Sequence, residues 1–191
     1  MTRNLDERLD QILPKITSRD FLEGKGLGNE ISFWVFDYLP QDELAVRKHI
    51  DFLMVQIPKQ RPDLKVAHIN LFDLLIDYLR DRKLLDKAID MQKAKGDEAL
   101  MRALAAPLHG KNLAAFLARQ HPPQKLDLLL MSGVGSAYPL LRSHNLLNNL
   151  HPVMGETPLV LFYPGAYDGQ ALSLFGQIKQ DNYYRAFKLV P

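Results

Sequence analysis

The chain has 191 residues, 47% hydrophobic and 24% charged, an ordinary globular balance. It has no cysteine, which excludes disulfide scaffolds, thiolate zinc sites, iron–sulfur clusters and cysteine nucleophiles. Lys and Arg number 24 against 22 Asp and Glu, a net charge of +2, too even for phosphate-dominated DNA binding to be the default.

Charges within Met1 to Glu7 leave no apolar stretch for a signal peptide. The longest uncharged run, Leu128 to Leu141, is interrupted by Ser132, Gly133, Gly135 and Pro139. It falls short of the about 20 apolar residues of a bilayer helix. A soluble cytoplasmic protein without a membrane partner is expected.

In chain order, Leu5, Leu9, Ile12, Leu13 and Ile16 recur at helical spacing, with Asn4 and Glu7 spaced as a capping box. Gly24, Gly26 and Gly28 break regular structure before Ile31 to Tyr38, an aromatic and β-branched run that predicts a buried strand. After Pro40 a helix is expected, with Leu44, Ile50, Leu53, Met54 and Ile57 on its buried face and Pro58 and Pro62 bracketing a turn. Leu64 to Leu71 is the second strand candidate. Leu74, Leu75, Tyr78 and Leu79 then mark an amphipathic helix whose other face is a solvated mixture of charges. Further helices are predicted over Lys83 to Lys93, Asp97 to Ala106 and Lys111 to Gln120.

Leu126 to Met131 is a continuous apolar run, as expected of a strand covered on both faces. A helix is predicted from about Ala137 to Leu150, with Ser136 as N-cap and Pro139 in its first turn. Leu159 to Tyr163 is the fourth strand, followed by turn signals at Pro164-Gly165 and Asp168-Gly169. Short strands are expected over Leu172 to Phe175 and Tyr184 to Val190. Strands alternating with helices predict an α/β fold with a mostly parallel sheet flanked by helices. The chain reads as one domain over 1–191, with a helical insertion at about 72–120.

The candidate chemistry is sparse. The glycines at 24, 26 and 28 precede a strand, whereas a phosphate loop follows one, and GxxxxGK[ST] is absent. Gly133, Gly135 and Ser136 do stand between a strand and a helix, so they are weak candidates for binding a nucleotide or phosphate. Tyr138 occupies the place of the fingerprint's third glycine, and a tight turn that needs glycine explains the same residues. No GxSxG elbow is present. The 6 histidines include no HExxH, and His144 and His151 lie roughly 10 Å apart along a helix, too far to share an ion directly. No catalytic residue, metal site or cofactor is expected.

From Asp127 to Phe175 only Asp127, Arg142, Glu156 and Asp168 are charged. Tyr138, Tyr163 and Tyr167 fall in this segment, and Arg142, Asn145 and Asn149 share one helical stripe. Such residues suit a protein-binding surface, and they equally suit core and turns. In a parallel sheet the ligand edge would carry Asp37, Asn70, Ser132 to Ser136 and Tyr163 to Asp168.

Four stretches carry a family resemblance: GNEISFWVFDY (Gly28 to Tyr38), GVGSAYPLLRSHNLLNNL (Gly133 to Leu150), TPLVLFYPGAYDGQALSLFG (Thr157 to Gly176) and NYYRAFKLVP (Asn182 to Pro191). With these the chain resembles the BrxB family, a small component of bacterial BREX phage-defence systems. The resemblance implies a place in an assembly with the phosphatase-like PglZ, the ATPase BrxC and the methyltransferase PglX. It implies a non-enzymatic adaptor that docks to PglZ, with BrxC and other BREX proteins as further candidate partners, and that meets DNA only through the complex. Its fold would resemble a P-loop or AAA-type domain without the phosphate loop. Two other readings stay open. One is a degenerate nucleotide-binding module built on Gly133 to Ser136. The other is a weak nucleic-acid-binding accessory, prompted by Tyr183, Tyr184, Arg185 and Lys188 in the tail.

Overall fold

The structure, a computed structural model, describes residues 5–24, 33–179 and 186–191. Calls on Asn4, Lys25 to Ser32 and Tyr183 to Arg185 lie outside them. Short helices α1 (Leu5–Asp10), α2 (Ile12–Ile16) and α3 (Arg19–Leu22) lead to β1 (Phe33–Tyr38), α4 (Glu43–Gln60) and β2 (Val66–Asn70). Then come α5 (Leu71–Asp81), α6 (Leu85–Leu104), α7 (Gly110–Gln120), β3 (Leu128–Ser132), α8 (Val134–Ala137) and α9 (Ser143–Met154). The chain ends with β4 (Leu159–Tyr167), β5 (Leu172–Leu174), β6 (Ile178–Lys179) and β7 (Phe187–Lys188).

The main sheet runs β2-β3-β4-β1-β7, and every neighbouring pair in it is parallel. This is the expected α/β arrangement. The crossover from β1 travels to the far edge at β2, and the later ones return toward the centre. A constant crossover hand therefore sends their helices to opposite faces.

Alternation along the strands supplies both faces. Leu128, Leu130, Val160 and Phe162 join a core with α1 to α4. Leu129, Met131, Leu159, Leu161 and Tyr163 join the other, with α5 to α9. This double burial is why β3 and β4 read as unbroken apolar runs. Each leucine so buried contributes about 2 kcal/mol.

Several local expectations are corrected. Leu44 is exposed, and Val46 takes its place on the buried face of α4 with Ile50, Leu53 and Ile57. Pro58 lies inside α4, near its end, where few backbone bonds remain to lose. The helix predicted from Ala137 is interrupted, because a residue before proline is pushed out of the helical region. Tyr138 is accordingly extended, at φ −73° and ψ 139°, and α9 starts beyond it. Ser136 sits within α8, and Gly133 holds the N-cap position with φ 76°. Pro164 and Gly165 continue β4 past the sheet into a hairpin with β5, Gly165 opposite Leu174 and Tyr167 opposite Leu172. The turn falls at Asp168, whose Oδ1 accepts from the amides of Gln170 and Ala171 at 2.8 and 2.7 Å. Within α6, Gly96 adopts φ 77° and separates two helical stretches. Among the described residues no helix is long and apolar enough to cross a membrane.

Candidate functional site

The carboxyl ends of β1, β2, β3 and β4 line up along one edge of the sheet, which gathers Asp37, Asn70, Ser132 and Pro164. Ligands of open α/β sheets bind beyond such an edge, where successive connections diverge. Here that place is the boundary between β1 and β4, with Asp37 opposite Tyr163 and Tyr38 opposite Pro164.

The chain fills this crevice itself. Asp37 is buried, and its Oδ1 accepts from Arg8 Nη2 at 2.8 Å. Its Oδ2 accepts the Tyr167 backbone N–H at 3.0 Å and lies 3.1 Å from Lys188 Nζ. Arg8 also donates to the Val190 carbonyl at 3.1 Å, and its guanidinium lies over the Phe36 ring, 4.6 Å from the centroid. A buried carboxylate is tolerable only when paired and hydrogen-bonded. Asp37 meets that condition by tying α1, β4 and β7 to β1. An acid inside FWVFDY was the sequence signal for such a group; its partners, distant in sequence, were not readable.

The glycine turn after β3 is equally filled. A Cβ on Gly133 would run into the Asn70 side-chain amide, and its positive φ independently favours glycine. Asn70 is occupied as the N-cap of α5, its Oδ1 accepting from the Phe72 amide at 2.9 Å. A Cβ on Gly135 would come within 3.0 Å of the Phe175 ring. Ser136 is exposed, and its Oγ accepts from Arg47 Nη2 at 3.3 Å. These contacts account for the two glycines as turn and packing residues.

The predicted partner surface is dispersed. Tyr163 and Tyr167 are buried, Tyr163 in the core with α5 to α9 and Tyr167 in the hairpin with β5. The Tyr167 hydroxyl donates to the Ala186 carbonyl at 2.6 Å. Asn145 meets α7, where Gly110 packs directly on it, and the Asn149 side-chain amide donates to the Asn145 carbonyl at 2.7 Å. Arg142 lies before α9, so it does not continue their stripe, and it is exposed. Tyr138 is half-buried, edge-on to Phe175 with ring centroids 6.4 Å apart. Arg142 is exposed, and Tyr138, Asn145 and Asn149 are each half-buried.

At the outer end of the same edge is an opening that the residue pattern did not reveal. His68 Nε2 and Ser132 Oγ share a hydrogen bond of 2.8 Å. The β2–β3 register makes them diagonal neighbours, since Ser132 stands opposite Asn70. His68, Asn70, Asp73, Asp77, Asp81, Phe116 and His121 line a cleft of about 420 Å³. Burial lowers the pKa of His68, against the pull of Asp51 and Asp73, so it is neutral at pH 7. Asp77 pairs with Arg80 at 3.0 Å and Asp81 with Arg119 at 2.8 Å. Among the described residues no group of three or more His, Asp or Glu is placed to hold a metal ion.

Comparison with known proteins supplies the family. The family model described as "BREX protein BrxB" matches residues 67–189. A BREX protein BrxB of Bacillus cereus (strain H3081.97) is 42% identical over 192 residues, covering 98% of each chain. One of Escherichia coli O9:H4 (strain HS) is 43% identical over 187 residues, covering 98% of this chain and 92% of its own. No solved structure matches. The expected resemblance is therefore shown across nearly the whole length, and the chain belongs to the BrxB family of BREX proteins.

Proposed function

We propose that the chain works in a BREX phage-defence system as a non-enzymatic adaptor that docks to PglZ, with BrxC as a further contact and DNA reached only through the complex. One observation carries this reading. The crevice where an α/β sheet would ordinarily seat a ligand is closed by Asp37, Arg8, Lys188 and the Tyr167 amide. Groups held in such pairs are spent on the fold, which leaves the outer surface as the part that can be read by other proteins. The even charge balance fits a protein partner better than bare nucleic acid.

The test is co-purification. The intact tagged chain, expressed with PglZ and BrxC from the same operon, is expected to retain PglZ. Recovery of neither partner overturns the proposal. Arg142→Glu, at an exposed position, is expected to lower PglZ recovery without lowering the unfolding midpoint. ATP hydrolysis or phosphodiester cleavage by the isolated chain would overturn the non-enzymatic part. ATP, ADP and GTP are expected to leave the melting temperature unchanged. A magnesium-dependent stabilisation abolished by Gly135→Asp would instead establish the nucleotide-binding alternative.

A further inference from the structure

β2 ends the sheet on one side. It pairs with β3, and among the described residues no strand covers its other edge. Such an edge offers a row of backbone N–H and C=O groups to any other chain, and proteins commonly guard it with charge, proline or a bulge. β2 reads Val-Ala-His-Ile-Asn, with neither a charge nor a proline, and four of its 5 residues are only half-buried.

Acids flank this edge on both faces of the sheet. On the face where Ile69 is buried, a cleft of about 420 Å³ is lined by the buried Ile69, Leu74 and Phe116 and by Asp73, Asp77 and Asp81. None of its described lining residues is lysine or arginine. The three aspartates recur every fourth residue of α5 and so form one row. Asp77 and Asp81 hold Arg80 and Arg119 in exposed pairs, which a partner's cation can replace at little cost. On the other face Val66 packs with α4, whose Asp51 is near enough to act on His68 by charge. Asp51 and Val55, both exposed, share that flank of α4. Among the described residues neither Asp51 nor Asp73 takes part in an ion pair.

We propose that the open edge of β2 takes up, as an added strand, an extended segment of a partner protein that carries lysine or arginine at alternate positions. Backbone pairing supplies the attachment, and the flanking groups select the segment. Successive side chains of a strand point to opposite faces, so alternate basic residues lie toward the aspartate row and the residues between them toward Val55 and Asp51. A second copy is the poorer occupant. Two β2 strands paired antiparallel would keep both α5 helices on one face and set aspartates against aspartates. The same carboxylates repel nucleic acid. The inference rests on the adaptor reading for there being a partner, and adds to it the surface and the chemistry of the docked segment.

The test titrates the full chain into a fluorescein-labelled heptapeptide of alternating lysine and valine, followed by anisotropy. A Kd of about 100 μM or lower is expected at about 50 mM salt. The same peptide with every backbone nitrogen methylated keeps its charges but cannot donate to a strand, and should bind at least about tenfold more weakly. Asp51→Asn combined with Asp73→Asn should weaken the unmethylated peptide by about tenfold while the unfolding midpoint stays close to that of the parent chain. Hydrogen exchange in the bound chain should slow at Val66 to Asn70. No binding up to about 1 mM overturns the proposal, as does binding indifferent to methylation or slowed exchange confined to other strands. A glutamate–valine peptide that binds equally well overturns it too. Recovery of PglZ is read separately. PglZ retained without peptide binding sinks the β2 edge alone, whereas peptide bound at β2 with neither PglZ nor BrxC recovered sinks the adaptor reading and leaves the edge standing.

Discussion

Two strand ends on the same edge of the sheet meet opposite fates. Asp37 ends β1, which lies between β4 and β7, and two cations and an amide close around it. His68 lies near the end of β2, the sheet's free edge, and it opens on a cleft. The difference follows from position. A polar group inside a sheet loses its water on every side and must find partners in the chain. One at an edge keeps part of its solvent and stays available to other molecules.

Substitutions at the two ends should therefore differ in size. Asp37→Ala leaves the Arg8 guanidinium facing a buried space with its charge partner gone. A loss of about 3 kcal/mol is expected from urea denaturation. A loss under about 1 kcal/mol would show that the cations turn to water and that the clasp is weaker than its geometry. Gly133→Ala, at the boundary between the two regions, combines a positive φ with a clash against Asn70 and should cost about 2 kcal/mol. A near-neutral result would mean that the Asn70 cap moves aside freely.

Tyr167→Phe removes only the hydroxyl that donates to Ala186 and should cost about 1 kcal/mol in the same assay. Combined with Asp37→Ala its effect should shrink, because both changes loosen the same hairpin.

The smallest effect is expected at the cleft. Burial lowers the pKa of His68, so the folded chain takes up this proton less readily than the unfolded chain. The associated stability is present above the ordinary histidine pKa of about 6.5 and is lost as the pH falls through it. His49, its pKa also lowered by burial, acts in the same direction. Comparing urea midpoints at about pH 7.5 and about pH 5.5, His68→Gln should lose less stability on acidification than the parent chain. An unchanged difference would place His68 in water in both states.

Local pattern was enough for much of the architecture. The apolar runs of β1, β3 and β4, and the stripe Leu74, Leu75, Tyr78 and Leu79 of α5, follow from periods of two and 3.6 residues that a few neighbouring positions carry. The stretches that mark the BrxB family are likewise written in the residues themselves. Whether a given tyrosine or charge became core or surface was decided elsewhere. Tyr167 is buried where the hairpin pairs with it and the chain end takes its hydroxyl, and Tyr163 joins the core under α5 to α9. Leu44 is exposed because α4 turns Val46 inward. Asp37 is neutralised by Arg8, 29 residues away, and by Lys188 on the last strand. Burial and pairing across such separations depend on the whole packing, and no local spacing encodes them.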